Sequence, residues 1–257
     1  LVMGNTIAKV AAADFGIQWS AWAVAAFFQT EKFFDITCSV TYISLTLMSL
    51  QSNQAYHTRQ IVNSGMVVTY AVRLGMYLFS RVLHSGKDSR FDQVRHKPGV
   101  FLIYWTLQGV WVLLTLIPVL IVNQKIDNPP INWQDYLGWS LWGLGFLMES
   151  VADYQKSQFR RDPNNAGKFI TSGLWSISCH PNYFGDILVW LGIYVSSRST
   201  FHGWEHVGVI SPLFLILLLT KMTGIPPLEA AGMKRWGTNP SYLAYKKNTA
   251  CLIPFIW

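Results

Sequence analysis

Three groups of residues have types and spacings that could do chemistry. The first is Tyr70, Arg73, Tyr77 and Arg81. Steps of three and four put them on one face of a helix. A tyrosine in such a stripe could donate a proton to a bound substrate. An arginine in an apolar helix needs a carboxylate, a carbonyl or a ligand phosphate. Two roles therefore stand open for Arg73: pairing with an acid of another helix, or lining a pocket. The second group is Glu149, Asp153, Lys156, Arg160 and Arg161. Glu149 and Asp153 are four apart and share a face, and Lys156 continues it. One reading is a snorkelling network at the membrane interface. The other is a cofactor cleft, in which arginine forks bind phosphate and the acids orient them or take ribose hydroxyls.

The third group lies in the run 173–186, GLWSISCHPNYFGD, which places His180, Asn182, Tyr183 and Asp186 just before an apolar stretch. Pro181 suits the first turn of a helix. An imidazole and a carboxamide there could hydrogen-bond a ligand at the membrane surface, and His180 serves equally well as a structural hydrogen-bonding residue. The six histidines and the three cysteines, Cys38, Cys179 and Cys251, form no HExxH or CxxC pattern. No metal site or disulfide framework is expected. No phosphate-loop or dinucleotide glycine fingerprint occurs, and no GxSxG motif.

The elements that must carry these groups are membrane helices. Of 257 residues, 51% are hydrophobic and 13% charged, well below the roughly 25% charge of soluble domains. Seven apolar stretches run over 5–28, 36–51, 62–83, 100–122, 136–154, 184–197 and 207–221. Backbone polar groups in lipid must be satisfied internally, so these read as helices. The expected fold is all-α, a polytopic membrane bundle of about seven transmembrane helices, forming one domain over 1–257. No internal repeat is visible. No basic segment precedes the first stretch as in an intact signal peptide; a presequence already removed stays open.

Charge orders the bundle. The linker 84–99 holds Lys87, Arg90, Arg95 and Lys97; the linker 155–183 holds Lys156, Arg160, Arg161 and Lys168; the tail holds five more from Lys221 to Lys247. With seven spans all three fall on one side, carrying 13 of the 20 Lys and Arg. The opposite linkers hold Arg59, Lys125 and Arg198. The positive-inside rule puts the C-terminus on the cytosolic side, or the matrix or stromal side of an organelle. The net charge of +7 then reflects topology and contact with anionic membrane lipids, not nucleic acid.

Several motifs in order carry a resemblance. The run Glu149-Ser-Val-Ala-Asp-Tyr-Gln-Lys, then Phe159-Arg160, Gly173-Leu-Trp and His180-Pro-Asn-Tyr-Phe-Gly, resembles the C-terminal signature of the steroid 5-alpha-reductase-like family. It is most similar to the branch first described as a domain of unknown function. Arg73-Leu-Gly-Met-Tyr-Leu-Phe-Ser-Arg81, Asp88-Ser-Arg90-Phe-Asp92, Gly224-Ile-Pro-Pro-Leu-Glu229, Tyr242-Leu-Ala-Tyr245 and Ile253-Pro-Phe are similar to that branch too. The likeness runs from about Phe34 onward, with the reductase-like signature in 142–257.

The resemblance implies a membrane enzyme that reduces a carbon–carbon double bond of a steroid, lipid or isoprenoid enone with NADPH. By motif, Asp153, Arg160 and Asn182 contact the nucleotide. Glu149, His180, Tyr183 and Asp186 stand beside them, and Tyr242 and Tyr245 lie in a tail that packs on the cofactor site. Tyr70 matches the tyrosine acting near the substrate carbonyl, with Arg73, Tyr77 and Arg81 in the same cleft. The partners implied are membrane lipids and a hydrophobic small-molecule substrate. The family default is the endoplasmic reticulum. Two departures from the pattern touch chemistry: Cys179 stands where the branch has arginine, and Asp186 where it has glutamate. In addition, the second stretch has no acid of the kind steroid reductases use with their tyrosine. These changes support an alternative, an inactive structural or accessory subunit of a large organellar membrane complex, in the mitochondrial inner membrane or a plastid. A methyltransferase-like relative is a third reading, against which the Glu149–Lys156 run speaks.

Overall fold

The computed structural model of the chain describes residues 2–85, 88–127 and 129–256, and their side chains apart from 2–5, 81–85 and 89. Among the described residues the regular structure is helical, with no strand. The main helices are α1 (Val2–Phe27), α2 (Phe34–Gln51), α3 (Thr58–Ser85), α4 (Pro98–Asn123), α5 (Trp133–Arg161) and α6 (Pro181–Arg198), followed by the shorter α7 (Ile210–Leu217), α8 (Ile225–Trp236) and α9 (Pro240–Asn248). Prolines open α4, α6 and α9, where a missing N–H costs nothing. All seven expected stretches fall on helix to within a residue. Among the described residues, three segments are long and apolar enough to cross a membrane: Thr58–Ser80, Pro98–Asn123 and Gly203–Trp236. The chain is thus membrane-integral. The other expected spans are helical but more polar, as with Asp14 and Gln18 in α1 or the run of Ser and Thr in α2.

The chain forms two compact units, Leu1–Asp135 with Ser196–Ser211, and Tyr136–Val195 with Pro212–Trp257. In the first, short polar side chains tie the helices together. Lipid offers little hydrophobic drive for helix association, so such contacts and close packing must supply it. Tyr42 of α2 and Thr115 of α4 share a 2.7 Å hydrogen bond. The Asn123 carboxamide donates to Ser49 at 2.8 Å and to Ser64 at 3.1 Å, joining α2, α3 and α4. Phe34, Phe91, Phe101 and Trp105 form an aromatic core beside Ala25. Arg59 is fully buried and makes a fork to Asp135, Nε to Oδ1 at 2.5 Å and Nη2 to Oδ2 at 2.7 Å. The carbonyls of Pro129 and Pro130 each accept a further hydrogen bond from it. Lys125 likewise pairs with Glu205 at 2.5 Å.

In the second unit α5 and α6 meet at backbone distance. A Cβ on Gly145 would lie 2.5 Å from the Gly185 carbonyl oxygen, and one on Gly185 would lie 2.7 Å from the Glu149 nitrogen. This approach sets the register between the two helices. One turn past Glu149, Asp153 accepts a hydrogen bond from the Asn182 carboxamide at 3.1 Å. The tail after α9 lies along the start of the His-Pro-Asn segment: Cys179 N–H donates to the Ala250 carbonyl at 2.8 Å and Ser178 Oγ to the Leu252 carbonyl at 2.7 Å.

Candidate functional site

The last turns of α5, the segment 165–180, α8 and α9 line an open-sided cavity of about 690 Å³ in the second unit. Five cations line it: Lys156, Arg160, Lys168, Arg235 and Lys246. Glu229 is the one carboxylate among its lining residues. Aromatic rings make up much of the remaining wall. Phe169 sits among them, with ring centroids 5.7 Å from Trp236, 5.0 Å from Tyr242 and 5.9 Å from Tyr245.

Local structure fixes each group. Lys156 lies with Nζ 4.4 Å from the Trp175 ring centroid, a cation–π contact that helps to hold the ammonium in place. Trp175 is held at both ends: its indole N–H donates to the Ala152 carbonyl at 3.0 Å, and its own carbonyl accepts from the Tyr245 hydroxyl at 2.6 Å. The turn leading to it needs Gly173. That residue has φ of +63°, and any Cβ there would run into the Gln155 side chain, whose oxygen accepts from Leu174 N–H at 2.9 Å. Positive φ and close approach both favour glycine. Trp236 donates to the Gly167 carbonyl at 2.6 Å and carries Arg235 over its ring. One carboxylate oxygen of Glu229 meets His180 Nε2 at 2.8 Å and Lys246 Nζ at 2.7 Å. The His180 ring stacks on Tyr183, centroids 5.6 Å apart and planes 9° apart.

Burial pushes the His180 imidazole below its usual value, outweighing its hydrogen bond to Glu229. Burial acts to lower Lys246 as well, yet its bond to Glu229 holds it above the usual value. Burial raises the Tyr242 and Tyr245 phenols and the Cys179 thiol. The cavity therefore holds the Lys246 ammonium beside neutral phenols and a neutral thiol. This arrangement can bind a polyanion through lysine and arginine donors and stack a planar ring.

Of the residues expected to bind a cofactor, Arg160, His180, Tyr242 and Tyr245 line this cavity. Asp153 and Asn182 are joined to each other, and Tyr183 backs His180. Glu149 and Asp186 are buried on α5 and α6. Tyr70, Arg73 and Tyr77 belong to the first unit. There Tyr70 is buried with its ring against Tyr42, and Arg73 lies over the Tyr77 ring. The side chain of Arg81 and all of Lys87 lie outside the described residues. Sequence reasoning missed Lys168, Glu229, Arg235 and Lys246 as site residues and placed Lys156 only in a charged stripe. A signal was there: Leu228, Glu229, Gly232, Arg235 and Trp236 recur at helical spacing, as do Tyr242, Tyr245 and Lys246. Cys179 does stand on the cavity wall, buried, with Sγ 3.8 Å from the Thr249 carbonyl.

An all-helical membrane chain with a cationic cavity built from its C-terminal motifs is the class these observations define. Residues 21–249 match the family model described as protein of unknown function (DUF1295). The chain belongs to that family, a branch of the steroid 5-alpha-reductase-like proteins. It is 22% identical over 181 residues to the Delta(14)-sterol reductase of Arabidopsis thaliana, covering 61% of this chain and 44% of the relative. It is 28% identical over 120 residues to 3-oxo-5-alpha-steroid 4-dehydrogenase 1 of Rattus norvegicus, covering 46% and 40%. A Delta(14)-sterol reductase of Methylotuvimicrobium alcaliphilum is 27% identical over 138 residues, covering 44% and 30%. The matches span less than half the length of these curated relatives. No solved structure matches the chain significantly.

Proposed function

We propose that the protein is an NADPH-dependent reductase of a carbon–carbon double bond in a membrane lipid, steroid or isoprenoid enone. The observation that carries the reading is the cavity of the second unit, where five cations face one carboxylate at the family's signature motifs. The residues present fit a phosphorylated dinucleotide. The cavity volume lies within the roughly 300–1,000 Å³ of small-molecule sites; its cations suit three phosphate groups, and its aromatic rings suit planar bases. The cofactor supplies hydride to an electron-poor carbon of the substrate.

In this reading Arg160, Lys156 and Lys246 bind phosphate oxygens. Asp153, held by Asn182, takes a ribose hydroxyl. Tyr70, in the first unit, would donate a hydrogen bond to a substrate carbonyl oxygen and stabilise negative charge there. The apolar helices hold the substrate and keep water out. The C-terminus faces the cytosol, by the excess of basic residues in the linkers on its side, and the membrane is that of the endoplasmic reticulum.

Cys179 supports a second reading, an accessory subunit that keeps the scaffold without the chemistry. Its buried thiol adds no charge to the wall where the branch has an arginine. One experiment separates the two. In lipid nanodiscs, the protein is expected to bind NADPH saturably at micromolar concentration, and Arg160→Ala to weaken binding about tenfold, the worth of one charge-assisted contact. No binding at millimolar NADPH by folded protein would sink the reductase reading and favour the subunit.

A further inference from the structure

The cavity contains one group of the wrong sign. Glu229 lines a chamber that is otherwise cationic, and a carboxylate there repels the anion that the chamber attracts. Yet its side chain is only 28% exposed, and a single oxygen accepts from both His180 and Lys246. These partners come from different parts of the chain: His180 opens the His-Pro-Asn segment, and Lys246 lies on α9. Glu229 itself lies on α8. The three meet at one oxygen atom.

We propose that Glu229 is the positioning residue of the anion cavity: it holds Lys246 and His180 on the cavity wall, ready for a phosphate-bearing ligand. This deepens the cofactor reading above and rests on it for the identity of the ligand, though not for its charge.

A lysine side chain is flexible and loses rotamer freedom when it is held in one place. Lys246 also sits among Lys156, Arg160 and Arg235 on the same wall, which favours its swinging away into solvent. Its bond to Glu229 counters both effects. An ammonium has three donors; one is spent on Glu229, and two remain for ligand oxygens. The second contact gives His180 its orientation. In the neutral imidazole, Nε2 then carries the proton toward Glu229 and Nδ1 is left as an acceptor. Stacking on Tyr183 fixes the ring plane. Preorganisation of this kind raises affinity by removing an ordering cost from the binding step.

Two properties of Glu229 can be separated by substitution: its charge and the reach of its oxygen. Glu229→Gln loses the charge and keeps an accepting oxygen at the same reach. Glu229→Asp keeps the charge and withdraws the oxygen by one methylene. Glu229→Ala loses both. Binding of inorganic pyrophosphate and of NADPH would be measured for the full chain in nanodiscs, with a thermal melt of each variant. If Glu229 positions Lys246, Glu229→Ala and Glu229→Asp weaken both probes by about tenfold, the scale of one charge-assisted contact, while Glu229→Gln stays within about twofold. If Glu229 is only a charge in the wall, the pattern inverts: Glu229→Gln and Glu229→Ala bind more tightly, and Glu229→Asp is unchanged. That result overturns the proposal. Glu229→Asp and Glu229→Gln suffice should Glu229→Ala fail to fold. Wild-type protein that binds pyrophosphate but not NADPH would refute the cofactor reading and leave the positioning role to be judged by the variants. Wild type that binds neither overturns both.

Discussion

At the scale of single residues, His180 links the site to acidity. Burial depresses its imidazole below the usual value of about 6.5. As pH falls, the unfolded chain takes up this proton first. Stability from the neutral buried ring is therefore full above about 6.5 and is lost as pH drops toward the folded value. Thermal melts in nanodiscs between pH 7.5 and 5.5 should show the folded protein weakening, and His180→Gln should flatten that dependence. An unchanged slope in the variant would refute the assignment. Glu229, Lys246 and Lys156 all act on this ring, so each variant should be melted at matched salt. Arg160 and His180, which line the cavity, stand out in the sequence by their motifs. The Glu229 contacts are not, because they join positions 17 and 49 apart in the chain. No local spacing encodes such a meeting.

At the scale of elements, helix positions were legible and helix registers were not. Hydropathy located every main helix, since lipid leaves the backbone little alternative. Gly143 and Gly145 look alike in the sequence, two small residues on one apolar helix. In the fold they differ. Nothing lies within 4 Å of a Cβ on Gly143, whereas one on Gly145 would strike the Gly185 carbonyl. Gly145→Val should cost about 3 kcal/mol, the upper end for overpacking, because backbone cannot move aside as a side chain can. Gly143→Val should change the melt by less than about 0.5 kcal/mol. Equal effects would mean that α5 and α6 do not meet at this point. Loss of that contact would also separate Asp153 from Asn182, so Gly145→Val should weaken NADPH binding in parallel.

At the scale of the whole molecule, charge placement governs orientation. Two of the three cations assigned to the sparsely charged side are neutralised within the first unit, Arg59 by Asp135 and Lys125 by Glu205. Ion pairs also take cations on the basic side, Arg90 with Asp35 and Asp88 and Arg95 with Glu31, and the positive-inside rule counts Lys and Arg whether or not they are paired. Cys251 is exposed while Cys38 and Cys179 are buried. A membrane-impermeant maleimide should therefore label Cys251 alone, and only from the cytosolic side of sealed vesicles. Labelling from the other side would reverse the orientation. The division into two units had no sequence signature, because it falls inside helices and not at a polar or flexible linker. The aromatic wall of the cavity has an optical consequence. Trp175 and Trp236 both line it, and a reduced nicotinamide absorbs light in the range where indoles emit. Occupation of the cavity would then quench part of the intrinsic fluorescence by energy transfer. The protein carries its own reporter, and Trp236→Phe would dim the signal without adding a label.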